Sequence, residues 1–165
     1  MKARLLIPLL LIMAACTTNK PMTEEQKAAV LDEATVAVHN ALDALMTSNT
    51  VKWLESLENS EEATFISFGD FYTYKQAEEM ATQFFPEITR QTFITAFERY
   101  IVINPDCFLY IWQGDNSMYM KSGDSTILED YVLSYAFRKT DGKWKIFFGH
   151  ESQKVPMPID TALVQ

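Results

Sequence analysis

Apolar residues recur every three or four positions in the first third of the chain and at alternate positions in the last half. Leu31, Ala34, Val38, Leu42 and Leu45 form a helical stripe. Thr23-Glu24-Glu25-Gln26 ahead of it has the form of a capping box, in which two side chains satisfy free backbone N–H groups at a helix start. A long amphipathic helix to about residue 47 is predicted. Asn49-Thr50 opens a second, short helix carrying Trp53 and Leu54, and 62–68 is β-rich. Thr73 and Gln76 repeat the capping pattern and open a third helix to about Phe85, which Pro86 stops. Four β-rich runs follow, at 89–103, 106–121, 126–139 and 143–153, separated by Asn104-Pro105, Gly123-Asp124 and Asp141-Gly142.

The last hairpin is specific enough to pair residue by residue. Asp141-Gly142 between alternating strands signals a two-residue turn. That turn sets Thr140 against Lys143 and Phe137 against Ile146. Strict alternation then sets Tyr135 against Phe148, Leu133 against His150, and Tyr131 against Ser152. One face carries Trp144, Ile146, Phe148 and His150 with Phe137, Tyr135, Leu133 and Tyr131. This face needs cover, and the helices are available. The opposite face carries Lys145, Phe147, Gly149 and Glu151.

The extreme N-terminus has a different pattern. Lys2 and Arg4 precede an apolar run from Leu5 to Ala15, and Met13-Ala14-Ala15-Cys16 ends it. This resembles a bacterial lipoprotein signal peptide, which implies removal of residues 1–15 and lipid on Cys16. The run is about eleven residues where a membrane-spanning helix needs roughly 20. The expected organisation is a leader at 1–15, a lipidated cysteine and tether at 16–22, and a single domain at 23–165. The tether, 17–22, spans at most about 20 Å. The expected location is the bacterial cell envelope, outside the cytoplasm.

Composition narrows the function. Removing Lys2 and Arg4 with the leader takes the formal charge from -8 to -10, which provides no electrostatic footprint for nucleic acid. Membrane attachment would then come from the lipid alone, since anionic headgroups repel such a chain. Cys107 is the other cysteine, so no internal disulfide is expected once Cys16 is lipidated, and Cys107 reads as a small core residue. His39 with Asp43 one turn on reads as a surface ion pair. Two distant histidines without a cysteine cluster point to no metal site, and no cofactor motif is present. The short acidic pairs, such as Glu78-Glu79, read as solvated surface.

The order of elements, with Trp144-Lys145-Ile146 leading into His150-Glu151-Ser152, resembles the nuclear transport factor 2-like superfamily, which includes SnoaL-like proteins and ketosteroid isomerase. The resemblance covers about residues 23–153. It implies an α+β fold in which three N-terminal helices pack in a curved, mainly antiparallel sheet, forming a cone-shaped cavity. Members include isomerases, dehydratases, cyclases and binding modules.

Three residues are candidates for catalysis. His150 on the covered face is either a general base or a hydrogen-bonded structural histidine. Asp70, after the first strand, is either an acid of the site or a turn carboxylate. Glu98 is a base if it faces inward, and otherwise pairs with Arg99 or a neighbouring strand. The aspartate, tyrosine and protonated aspartic acid of ketosteroid isomerase have no clear counterparts here. Aromatics make up 13% of the chain, all between Trp53 and Phe148. Tyr72, Tyr100, Tyr110, Tyr131, Tyr135, Trp144 and Phe148 are the candidate pocket walls, and the alternative is a closed aromatic core. The leading expectation is a lipid-anchored module that binds a small apolar molecule or a protein partner. The alternatives are a SnoaL-like isomerase or lyase using His150, and a structural module. Phe147 on the outer face suggests a homodimer.

Overall fold

The computed structural model describes residues 21–154. The predicted leader, Cys16, most of the tether and the tail after Lys154 lie outside the described residues.

Helix α1 spans Glu24–Met46, and the Thr23–Gln26 capping box is formed in both directions. Its buried stripe is Val30, Ala34, Val38, Ala41, Ala44 and Leu45. Leu31, assigned to the stripe by spacing, is 40% exposed. The alanines have a packing reason. Small side chains let the helix lie close to the large aromatics of the sheet, so those rings fill the core space. Helix α2, Thr50–Ser56, is capped by the Asn49 side chain, which accepts from the Lys52 N–H at 3.1 Å.

A hairpin follows that the sequence reading missed. Strands β1, Thr64–Ser67, and β2, Asp70–Thr73, pair around Phe68 and Gly69. Both turn residues have left-handed φ angles, 51° and 95°, as a tight two-residue hairpin requires. Helix α3, Tyr74–Phe84, begins directly after β2 with its own Thr73–Gln76 capping box. A short 3₁₀ turn through Pro86 ends it. The third helix is thus separated from the other two by a hairpin.

Strands β3 (Ile88–Asn104), β4 (Cys107–Met120), β5 (Ser125–Thr140) and β6 (Lys143–Gln153) complete a six-stranded sheet of order β2-β1-β6-β5-β4-β3. The sheet is mixed, with β1 parallel to β6. Register breaks at Thr95/Phe97, Gly114/Asn116 and Ala136/Phe137 interrupt the three long ladders. Such bulges add twist and bend strands. Phe108, Tyr110, Trp112, Leu133, Tyr135 and Phe137 fill the concave face, all essentially inaccessible. Phe108 stacks on Phe137 with ring centres 4.6 Å apart.

The last of those breaks overturns part of the predicted hairpin. Thr140↔Lys143 and Phe137↔Ile146 pair as expected, but Phe147 is an extra residue on β6. Beyond it Ala136 faces Phe148, Tyr135 faces Gly149, Ser134 faces His150 and Leu133 faces Glu151. A one-residue slip exchanges the faces of a strand. His150 and Phe148 therefore lie on the outer face, and Gly149 and Glu151 on the concave one.

The start of α1 marks one end of the molecule. Pro21 and Met22 border a surface hollow with Asn104, Cys107 and Arg138, at the β3–β4 turn. Leu45, near the far end of α1, reaches the opposite end of the cone.

Candidate functional site

The concave space not filled by aromatics is a cavity of about 560 Å³. Trp53 of α2, Phe85, Phe93 of β3, Met118 of β4 and Leu133 of β5 provide apolar walls. Phe68, Met80 and Phe84 line its mouth and are each at least two-fifths exposed. Ordinary alternation along β4 sets Asn116 in the wall, 1% exposed, where its Nδ2 donates to the Thr92 carbonyl at 3.3 Å. Its Oδ1 accepts from Gln91 Nε2 at 3.4 Å.

One lining residue is charged, Glu151. Its Oε2 accepts from the Tyr131 hydroxyl at 2.7 Å and the Ser67 hydroxyl at 3.2 Å. Its Oε1 accepts from the Tyr135 hydroxyl at 3.0 Å. Burial, reinforced by the Glu151 charge, pushes both phenols far above their ordinary range. They therefore remain neutral donors at any physiological pH. No ion pair to Glu151 occurs among the described residues. A carboxylate can accept about four hydrogen bonds, so three donors leave room for one more. The arrangement can hold a donor group of an apolar molecule, or accept a proton from one.

The sequence-derived candidates are dispersed. Tyr72 and Tyr131 line the cavity, while Tyr135 lies just behind Glu151. Tyr100 and Tyr110 lie further down the cone, with ring centres 5.0 Å apart. There the Tyr110 hydroxyl donates to Glu98 at 3.2 Å, so Glu98 does face the concave side but at a separate cluster. Asp70 is exposed at the start of β2, opposite Ser67. Trp144 packs edge-on against Phe108 and donates from Nε1 to Glu33 at 2.9 Å, beside a solvent-open groove under α1. Phe148 and His150 are on the outer face for the register reason given above. His39 is exposed, and Asp43 meets Lys52 at 3.6 Å instead. Cys107 is partly buried, which raises its thiol pKa.

The residue that reading the sequence missed is Glu151. One signal for it was present: Tyr131 and Tyr135 flank Leu133 on one face, so shifting the pairing by one residue sets an acid between two phenols.

Among the described residues no group of three histidine, cysteine or acidic side chains forms a metal cluster. No described helix is long and apolar enough to cross a membrane.

No family profile matches the sequence, and no curated protein does. Solved structures do resemble the chain. An NTF2-like superfamily protein from Salmonella enterica serovar Typhimurium aligns with a TM-score of 0.69 at 14% identity, covering 82% of this chain and 98% of that one. A putative dehydratase of the NTF2-like family from Streptomyces avermitilis gives 0.67 at 12%, covering 78% and 98%. Hexachlorocyclohexane dehydrochlorinase LinA-type3 from Novosphingobium barchaimii gives 0.64 at 12%, covering 84% and 96%. At these identities the agreement concerns architecture, and with the mixed six-stranded sheet curved around its helices it establishes that the chain has the nuclear transport factor 2-like fold.

Proposed function

We propose that the protein is a lipid-anchored protein of the bacterial cell envelope that binds a small, largely apolar molecule in the cone. The observation that carries this reading is the cavity: aromatic and aliphatic walls around a single hydrogen-bonded carboxylate. Enclosed apolar space with few polar groups is the usual form of a small-molecule site. The anchor rests on the Ala14-Ala15-Cys16 junction.

Native mass spectrometry of residues 17–165 tests the binding. That chain keeps every described residue. The expected result is a co-purifying species released on denaturation, or, from a bare protein, saturable uptake of an added apolar probe. A protein that is bare and takes up no probe ends the reading. For the anchor, acyl mass is expected on Cys16 in the membrane fraction. A Cys16→Ser chain is expected to lack it and to retain residues 1–15.

A second reading is catalytic. A dehydratase and a dehydrochlorinase are among the similar structures, and both names denote eliminations, which need a base. Glu151 is then the base in place of His150. Turnover of the recovered molecule, lost in Glu151→Gln while binding persists, distinguishes enzyme from binder. A homodimer through the outer face is a third feature to read from the same spectra. Ile94, Phe97 and Ile101 are exposed on that side of β3.

A further inference from the structure

We propose that the cavity is selective for an apolar amine, held as its ammonium ion against Glu151. This rests on the binding reading above and specifies the chemistry of the ligand.

The argument begins with charge. Glu58, the one buried acid among the described residues, has a cation of its own, as does the exposed Glu33, while Glu98, outside this cavity, accepts from the buried Tyr110 hydroxyl without one. Glu58 is held by Arg138, and Glu33 by Lys139 at 2.6 Å. Glu151 has three hydroxyl donors and no cation among the described residues. No lysine, arginine or histidine lines the cavity. Glu151 is half-buried, and a carboxylate partly withdrawn from water interacts most favourably with an opposite charge that is also hydrogen-bonded. The protein leaves that position to a ligand.

The walls favour the same partner. Trp53, Phe68 and Tyr131 surround the approach to Glu151, with Phe68 stacked on Tyr131 at 6.1 Å. Aromatic faces attract cations, and more so where water is excluded. The apolar remainder of the cavity accommodates a hydrocarbon body. An acidic ligand is disfavoured twice, by Glu151 and by the formal charge of -10 left once Lys2 and Arg4 are removed from the -8 of the full chain. A neutral alcohol gains one hydrogen bond but no charge interaction.

Three probes of equal chain length separate these cases: octylamine, 1-octanol and octanoate, titrated calorimetrically into residues 17–165 at pH 7. Octylamine is expected to bind at least about 10-fold more tightly than octanol, a typical gain for a charge-assisted hydrogen bond. Octanoate is expected to bind weakest. In Glu151→Gln the amine preference falls to within about 2-fold while octanol affinity is retained. In Tyr131→Phe, which keeps the charge, the preference persists. A merely structural role for Glu151 would move all three probes together. If Glu151→Gln does not fold, the wild-type and Tyr131→Phe comparisons still decide. Equal binding of amine and alcohol, or a preference for octanoate, overturns the ammonium assignment and leaves the cavity reading standing. Binding of none of the probes overturns both.

Discussion

Gly114→Ala is expected to destabilise the fold by about 3 kcal/mol or more, which for a domain of this size lowers the melting temperature by roughly 10 °C. A methyl group at Gly114 would sit 2.0 Å from the Ile94 carbonyl oxygen, 2.8 Å from Trp112 Cζ2 and 3.0 Å from the Ile94 carbonyl carbon. Two of these atoms are backbone, in a segment of β3 locked by its ladder to β4. The third belongs to a fully buried ring whose Nε1 is tied to Thr95 at 2.8 Å. Nothing nearby yields cheaply, so relief requires opening the ladder beside the bulge. Gly149→Ala is the informative contrast. There the nearest atoms are ring carbons of Phe65 at 3.0 Å and Tyr135 at 3.3 Å, and side chains can shift by tenths of an ångström. A smaller loss is expected, about 1 kcal/mol. Thermal unfolding of both variants checks the pair. A Gly114→Ala protein melting within a few degrees of wild type would mean that this close approach is relaxed at little cost.

Arg138→Ala carries the second large effect. Glu58 is 5% exposed and receives the Arg138 guanidinium in a two-pronged contact through Nε, at 2.6 Å, and Nη2. Ser60 and Thr140 hydroxyls donate to the same carboxylate at 2.7 Å and 3.0 Å. Removing the cation leaves a buried carboxylate without its charge partner, at a cost of about 3–5 kcal/mol. Glu58→Ala is expected to be milder, since Arg138 is one-third exposed and water can take over its donors. The pair also sets an acid limit. Hydrogen bonding to Arg138 first, then to Ser60 and Thr140, lowers the Glu58 pKa from 4.5 to about 2 against the opposing effect of burial. The folded state then binds fewer protons than the unfolded state between those values, so stability rises with pH there. The contribution, about 3 kcal/mol, is complete above pH 4.5 and lost as pH falls toward 2. Urea unfolding from pH 6 to 2.5 should show wild type losing more stability than Arg138→Ala. Parallel curves would refute this account of Glu58.

The sequence disclosed the features that are local in origin. The two capping boxes, the Asn49 cap, the Pro86 stop and the Asp141-Gly142 turn each act within a few residues, and each could be recognised from its own chemistry. The concealed features are set by distant parts of the chain. Phe147 becomes an extra residue in β6 where the β5–β6 register shifts, and no neighbour of Phe147 announces it. Counting from the turn therefore placed His150 inside and Glu151 outside. Glu58 and Arg138 are 80 positions apart, and their contact arises only when the segment after α2 runs alongside β6. The stripe on α1 was misplaced for a similar reason. Spacing selects Leu31 and Val30 almost equally, and the surface opposite decides between them. The cavity lining was partly legible in Tyr72 and Tyr131, while Glu151, turned inward by the shift at Phe147, was not.

The direction of α1 bears on how any ligand arrives. The helix starts beside the β3–β4 turn, and the cavity lies toward the other end of the cone. Asn116 in the cavity wall is about 30 Å along β4 from Cys107, at roughly 3.3 Å per residue. A chain held to a bilayer through Cys16 would thus carry its opening on the far side, pointed into the aqueous compartment. Loading and unloading would then proceed by exchange with dissolved molecules or with a facing carrier, while the hydrocarbon interior stays behind the domain.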